Sequence, residues 1–519
     1  MPAPKEIEVK LELPPASLAR FKKIPLLRGQ KGRPKTATEV SVYFDTDTHK
    51  LHKKGMMLRV RRSGDRYVQT IKSAGNSGPF TRNEWESDID GRAPDLHLAQ
   101  DTALAPLLSG KFRRQLKPVF ETRVRRTTYP LSSGSSDIAL TLDKGKIASG
   151  RNSRPLCEIE LELKRGDEAE LFKVARELTH VLPAQLALKS KSERGYEMLA
   201  GRDDAPVKAI AVDLAPGAAT RDGFKAIGLA CLKQMIGNEP ALLAGDPEGV
   251  HQMRVGFRRL RAAISLFADI LQDPQTAALK DELKWLTGEL GPARELEVLV
   301  TQVVAPVRRR HSRLQGISGL SRDLTQQRAA ALARAQDAVR SPRFRALTLD
   351  IAAWLEAGEW TRPQDDLVRD KGDVAIETSA AEQLTRRFRK IRKQGKKLAR
   401  LDARSRHKLR IQAKKVRYAS EFFADLFPGK KASRRRAKFL SALERVQDCL
   451  GDLNDIAVHE DRITAIADRR GEGRRRRGSS KRAFAAGLLT GREDARLDTV
   501  LASANDAHAA LVKIKPFWR

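Results

Sequence analysis

Cysteine is nearly absent from this chain of 519 residues: Cys157, Cys231 and Cys449 are too few and too scattered for a disulfide framework or a zinc knuckle. That fits a reducing compartment, and the cytoplasm is the expected location. Aromatic residues make up only 5%, which leaves little for base stacking and argues against a dedicated nucleic-acid reader. No window approaches the ~20 apolar residues needed to cross a bilayer. The opening MPAPKEIEVKLELP has no apolar core of signal-peptide length, so neither membrane insertion nor secretion is expected. No G-x-x-x-x-G-K-[ST] loop occurs, which excludes P-loop chemistry, and no Ser or Cys stands in a nucleophile motif. Acid is in deficit too: 65 Asp and Glu face 99 Lys and Arg, a formal net charge of +34.

That excess points to a polyanionic partner or substrate, whether nucleic acid, anionic membrane surface, nucleotide or inorganic polyphosphate. Salt-sensitive, non-specific binding of nucleic acid is compatible with it. The length suits two or three domains, each able to bury its own core. Residues 1 to 200 are dominated by a period of two in EIEVKLEL, MLRVR, RYVQTIK, ETRVRR, IALTLD and CEIELELK, with helices expected at 167 to 181 and from Pro15. This half reads as α+β with antiparallel strands. Residues 201 to 219 read as a linker. From 220 to 515 the period is 3.6 in Ala, Leu and Arg rich segments, an all-α domain built of two repeats, about 220 to 357 and 379 to 515. Residues 467 to 482 (ADRRGEGRRRRGSSKR) read as a mobile basic loop.

The repeats share one polar register. VHQMRVGFRRLR spaces His251, Arg254, Arg258 and Arg261 at i, i+3, i+7 and i+10, and HKLRIQAKKVRY repeats it with His407, Arg410, Lys414 and Arg417. On a helix these positions fall within roughly 80° of arc, so each stretch forms one cationic stripe. No acid lies at i±3 or i±4 from Arg254, Arg258 or Arg261, and in the second stripe only Arg417 has one, Glu421. Unrelieved like-charge pairs destabilise a helix by a few tenths of a kcal/mol each, and a polyanionic ligand explains why the pattern occurs twice. A solvated basic face is the other reading. The stripes are followed by LTGELGPARELEVL and VQDCLGDLNDIAVH, taken here as turns.

In the β-rich half, Glu6, Glu8, Lys10 and Glu12 alternate with apolar residues, so one face of the strand carries all its charge. Arg59 and Arg61, Gln69 and Lys72, Arg123 and Arg125, Thr141 and Asp143, and Glu158, Glu160 and Glu162 continue the pattern. Such strands can close into a barrel with a charged lumen. Carboxylates two apart suit oxygen ligation of Mg²⁺ or Mn²⁺, and clustered Arg and Lys suit phosphate oxygens. Spacing alone leaves solvated sheet faces as an alternative. Glu12, Glu162 and Arg126, at strand ends or in the opposite phase, are expected at the solvent surface, as are His49, His52 and His97.

The ordered series E-I-E-V-K, Y-F-D-T (43 to 46), L-R-V-R, T-I-K, R-N-E-W-E, C-E-I-E and S-K-S-E-R-G-Y resembles the CYTH family of triphosphate tunnel metalloenzymes over residues 1 to 200. The resemblance implies an eight-stranded antiparallel tunnel that holds a linear triphosphate with Mg²⁺ or Mn²⁺ and hydrolyses it. By position, Glu6 and Glu8 would ligate metal, with Glu158, Glu160 and Asp143 completing the acidic side. Lys10, Arg59, Arg61, Lys72, Arg123, Arg125 and Lys191 would line the triphosphate path. Glu6, Glu8, Lys10, Lys72 and Lys191 form the implied catalytic set, and Glu84 and Glu86 are lesser candidates.

The duplicated stripes resemble the CHAD family, the conserved-histidine α-helical domain, over about 220 to 515. This implies two pseudo-symmetric four-helix bundles with a basic groove for inorganic polyphosphate. His251, Arg254, Arg258, Arg261, His407, Arg410, Lys414 and Arg417 would bind it, flanked by Arg259 and Lys415. Arg294, Asn454 and Asp455 would lie on the paired helices, and Glu295 stands where the family more often has Asp.

The expected function is therefore metal-dependent hydrolysis of inorganic triphosphate in the tunnel, with polyphosphate bound by the helical domain and granules as a place where the chain would collect. The alternatives are an organic triphosphate as substrate, in the manner of thiamine triphosphatases or adenylate cyclases, and a non-enzymatic, granule-associated polyphosphate binder.

Overall fold

The computed structural model describes residues 5–27, 33–74, 78–202, 204–311, 315–468 and 476–519. Among the described residues, nine antiparallel strands form one sheet: β1 (Lys5–Glu12), β2 (Lys35–Asp45), β3 (Met56–Ser63), β4 (Arg66–Ala74), β5 (Thr81–Ile89), β6 (Lys117–Ser133), β7 (Ser136–Ser149), β8 (Asn152–Arg165) and β9 (Gln185–Ala187). Their order is β5-β4-β3-β2-β6-β7-β8-β1-β9, and β1 also pairs with β5. That extra pairing closes an eight-stranded barrel and leaves β9 as an outer addition to β1.

The barrel is inverted relative to an ordinary core. Val9 and Leu11 of β1 are fully buried on its outer face, and the Glu168–Val181 helix, N-capped by Asp167, buries Leu171, Phe172, Val174, Ala175 and Leu178 while packing on β1 and β8. On the β2–β4 side, Phe44, Leu58, Val60 and Ile71 pack with Leu51, Leu104 and Phe112. With apolar residues outside, the alternating phase of each strand turns charge inward.

The Lys191–Ala200 helix contacts β6, β7 and β8. Tyr196 and Met198 pack with Tyr43, Phe120, Val124, Ile147 and Leu156, so this helix fills one end of the lumen. Only glycine fits at Gly195, because a Cβ there would lie 2.3 Å from the Phe120 ring. The Y-F-D-T segment supports the same end: Asp45 accepts hydrogen bonds from the backbone of Thr46 (2.7 Å), Leu51 (2.9 Å) and His52 (3.0 Å) and from the Tyr196 hydroxyl (2.8 Å). His52, exposed as expected, stacks on Tyr196 at 4.0 Å.

From Thr220 onward the described residues are almost entirely helical. The contacts divide into two compact units that do not follow the sequence order. One joins residues 1–207 with 232–244 and 339–361; the other comprises 208–231, 245–338 and 362–519. In the first, the Pro342–Ala357 helix packs on the Glu168–Val181 helix and on β9, with Arg176 Nε 2.6 Å from Asp350. In the second, the Pro247–Leu266 helix packs on Pro274–Val298 and on Ala403–Phe422, and the latter packs on Lys430–Asp468. The expected turns GPAREL and GDLNDI lie inside the Pro274–Val298 and Lys430–Asp468 helices. The expected loop 467 to 482 is shorter than its composition suggested: 467 and 468 end one helix, 476 to 482 begin the next, and 469–475 lie outside the described residues.

Candidate functional site

Register brings the lumen charges together from seven strands. Lys72 of β4 lies opposite Glu84 of β5, and Thr70 opposite Glu86; Arg126 of β6 lies opposite Asp143 of β7; Asp143 lies opposite Glu158 of β8; and Lys10 of β1 lies opposite Glu160. Directly opposed residues share a face, so these side chains meet in one space. Glu8 and Lys10 are buried there and form an ion pair, as do Glu6 and Lys72. Lys72 also lies 3.2 Å from Glu84, Arg59 4.0 Å from Glu84 and Arg61 3.1 Å from Glu86.

A second cluster is built around Lys191, at the first turn of the plugging helix. Its Nζ lies 2.7 Å from Asp143, 2.5 Å from Glu158 and 2.8 Å from Glu160. Arg126 donates to Asp143 from Nε (2.8 Å) and Nη2 (2.6 Å) and to Glu160 from Nη2 (2.8 Å). Arg194, one turn along the helix from Lys191, lies 3.4 Å from Glu158.

Burial pushes the Glu8 carboxyl up, but Lys10 and Lys72 outweigh it and hold the group at about 2. Glu84 moves the other way: burial raises it to about 7, against Lys72 and with help from Glu6. Burial also lifts Glu158, only partly offset by Lys191, whereas Glu160 is held well below the ordinary range because Lys191 and Arg126 overcome its burial. One lumen thus holds fixed anions and a carboxyl that can exchange a proton near neutrality.

The position of β6 corrects one expectation. Arg123 and Arg125 do not line the lumen: both are exposed, and Arg123 pairs with Glu121 at 2.6 Å. Arg126, expected at the surface, takes the inward place. Glu12 is exposed as expected, 3.4 Å from Arg194, and Glu162 pairs with Lys164 at 2.5 Å. Arg194 was missed by sequence reasoning, although the i+3 spacing from Lys191 in KSERGY puts the two on one helix face.

The donor set fits a hard divalent cation. Asp143, Glu158 and Glu160 each offer a carboxylate oxygen, and these atoms lie within 4.8 Å of one another. All are oxygen donors, as Mg²⁺ and Mn²⁺ prefer. Glu8 lies close enough to feel both Lys72 and Glu160, and Glu6 pairs with Lys72 beside Glu84.

The second candidate site lies where the two stripe helices pack. Arg254, Arg258, Arg410 and Lys414 converge, and the three arginines all depress the ionisation of Lys414. Burial, then Arg410 and Arg258, lower Lys414 to about 7; burial and Arg258 lower Arg254 to about 10; and burial and Arg294 lower His251 to about 4. Arg254 Nη1 and Arg410 Nε are buried with no hydrogen-bond acceptor among the described residues. Asp455 gives modest relief, 3.7 Å from Arg410, and His407 Nδ1 lies 2.6 Å from Asn454 Oδ1.

The glycines of the supposed turns face this cluster, Gly291 closely and Gly451 at ordinary contact distance. A Cβ at Gly291 would lie 3.2 Å from Arg254 Nη1, and one at Gly451 3.5 Å from Arg410 Nη2. The far ends of the stripes differ. Arg261 is exposed beside Thr287 (3.4 Å), and Arg417 is committed to Glu421 at 2.9 Å. Arg259 is buried against Glu421 (2.6 Å) and over the Phe422 ring, and Lys415 donates to Ser265 (3.0 Å). Glu295 acts on Arg254 electrostatically.

A closed antiparallel barrel with a lumen of opposed charges is followed by helices carrying a duplicated cationic cluster. Comparison with known proteins gives the family. Residues 4–196 match the CYTH domain and residues 226–464 the CHAD domain. The crystal structure of the CHAD domain from the plant Ricinus communis is 30% identical, covering 60% of this chain and 98% of its own, with a TM-score of 0.51. The chain belongs to the CHAD family, with a CYTH domain ahead of its CHAD domain. It is also similar to an inorganic triphosphatase of Haemophilus influenzae, 29% identical over 164 residues, which is 30% of this chain and 44% of that relative's length.

Proposed function

We propose that the barrel hydrolyses inorganic triphosphate to pyrophosphate and phosphate with Mg²⁺ or Mn²⁺, and that the helical domain binds inorganic polyphosphate. The observation that carries the first part is the pairing of lumen charges: Lys10, Arg59, Arg61, Lys72, Arg126 and Lys191 are all within ion-pair reach of lumen carboxylates. A linear triphosphate competes for these cations and frees the carboxylates. Mg²⁺ or Mn²⁺ held by Glu6, Glu8, Asp143, Glu158 and Glu160 would neutralise phosphate charge and lower the pKa of a bound water.

The chain's own cations then stabilise charge on the departing pyrophosphate, with the arginines able to grip phosphate oxygens bidentately. Glu84, poised at about 7, can take up or release a proton at neutral pH. Similarity to a relative named an inorganic triphosphatase favours the inorganic substrate. For the helical domain, the support is the cluster Arg254, Arg258, Arg410 and Lys414, with His251 and His407 at its edge. A cytoplasmic location, with collection on polyphosphate granules, accompanies this reading. No described helix is long and apolar enough to cross a membrane.

The test is phosphate release from inorganic triphosphate, with ATP and thiamine triphosphate in parallel, in Mg²⁺, Mn²⁺ or chelator. The full chain is compared with its Glu6→Gln/Glu8→Gln variant. Metal-dependent turnover of inorganic triphosphate, lost in the variant, is the expected result. Faster turnover of an organic triphosphate would move the substrate class, and no turnover of any substrate by folded protein would leave the barrel as an anion-binding module.

A further inference from the structure

The Leu232–Ala244 segment lies within the CHAD match, yet it packs in the same compact unit as the barrel. It is held there by Asn238, fully buried, whose side chain accepts from the Val207 backbone N–H (2.9 Å) and donates to the Val207 carbonyl (2.8 Å). From this segment Lys233 extends Nζ to within 3.1 Å of Glu193 Oε1.

Glu193 is the third residue of the plugging helix and the reciprocal half of its capping box. Its Oε2 accepts from the Ser190 backbone N–H (2.8 Å) and hydroxyl (3.0 Å), while its own N–H donates back to Ser190 Oγ (3.1 Å). Arg82 of β5 stands 3.5 Å from the same carboxylate. This one side chain therefore fixes where the helix starts, and the first helical residue is Lys191, which reaches three lumen carboxylates.

We propose that Lys233 is a positioning residue for the barrel site: by holding the Glu193 carboxylate in its capping geometry, it sets the start of the plugging helix and thereby the placement of Lys191 and Arg194 in the lumen. The ionisation of Glu193 agrees with this. Burial alone would raise it, yet Lys233 and Arg82 hold it at about 2. Lys233 touches neither substrate nor lumen; its effect passes through two side chains and one helix N-terminus. Lys233 is only partly buried and Arg82 stays beside the same carboxylate when it is removed, so its leverage on stability is small; the effect belongs on the geometry of the site, where small displacements of a charged group are costly to rate.

The kinetic part of the test rests on the triphosphatase reading; the structural part does not. Full-length Lys233→Ala and Lys233→Arg are compared with the unsubstituted protein by hydrogen exchange of the amides at 190–194 and by turnover of inorganic triphosphate with Mg²⁺ or Mn²⁺. In Lys233→Ala, exchange at these amides should quicken and kcat/KM should fall about three- to tenfold, with the unfolding temperature nearly unchanged. Lys233→Arg should restore both. Unchanged exchange overturns the proposal whatever the kinetics, and so does quickened exchange with undiminished turnover. If the unsubstituted protein turns over no triphosphate, the functional reading has failed, and the triphosphate-induced rise in unfolding temperature takes the place of turnover under the same criteria.

Discussion

Arg126 carries the most telling residue-level lesson. ETRVRR offers arginines in both phases of a strand, and a one-residue slip exchanges which of them face inward. The expectation followed charge alternation, which works for β1, β3 and β8 because apolar residues fill their outer phase. It fails on β6 because the plugging helix packs against the inner phase, so Phe120 and Val124 share that face with Arg126. Arg126→Ala would leave Asp143 and Glu160 with Lys191 as their main counter-charge and should cost about 3 kcal/mol, the range for breaking a buried pair, with a raised KM for triphosphate. Arg123→Ala should fall within about 0.5 kcal/mol. The sign of the pH effect follows from the same contacts. Asp143 and Glu160 are held below their ordinary values because Lys191 and Arg126 overcome burial. Their stabilisation is therefore present above the unfolded carboxyl pKa and is lost as pH falls through the folded value. Urea unfolding at neutral and acid pH should show the unsubstituted protein losing more stability on acidification than Arg126→Ala; equal midpoints for the two alanine variants would refute the inward placement of Arg126.

Among elements, the stripe helices were the most legible part of the chain, since register and the missing acids are read directly from sequence. That the stripes share one groove is implied by the family resemblance alone, because helical periodicity gives a face and not its partner. The glycines mislead for a related reason: Gly291 and Gly451 read as turn residues, yet both lie within helices, Gly291 tight against Arg254 and Gly451 facing Arg410. Convergence predicts a pH response. Lys414, lowered to about 7 by burial and by Arg410 and Arg258, is only partly charged in the free protein at neutral pH, and a polyanion placed there would restore its proton. Binding then takes up a proton above pH 7, so affinity for long polyphosphate should be roughly tenfold weaker at pH 8 than at pH 6. Titration calorimetry in two buffers of different ionisation enthalpy measures that uptake directly. Lys414→Arg should flatten the dependence, and an equally steep profile in that variant would assign it elsewhere.

At the scale of the molecule, composition locates the change from period two to period 3.6 near residue 200, and the order of short motifs was enough to suggest both domains. It could not indicate that 232–244 and 339–361 join the barrel's compact unit, because an amphipathic helix looks the same whichever surface it covers. The net charge of +34 raises a question that only the whole chain can answer: whether polyphosphate is held by bulk charge or by the converged cluster. Arg254, Arg258, Arg410 and Lys414 are four of 99 cationic residues, so replacing all four with Ala barely alters the long-range field. If bulk charge governs, affinity for long chains should change little and keep its steep salt dependence. The cluster reading requires the opposite: full-length protein with the four substitutions should lose roughly 100-fold or more in affinity at physiological salt, while triphosphate turnover in the barrel stays within about twofold, since none of the four contributes to the lumen. Filter binding across a salt series, with turnover measured on the same preparation, separates the two, and retained affinity with intact turnover would return the stripes to the solvated-face reading.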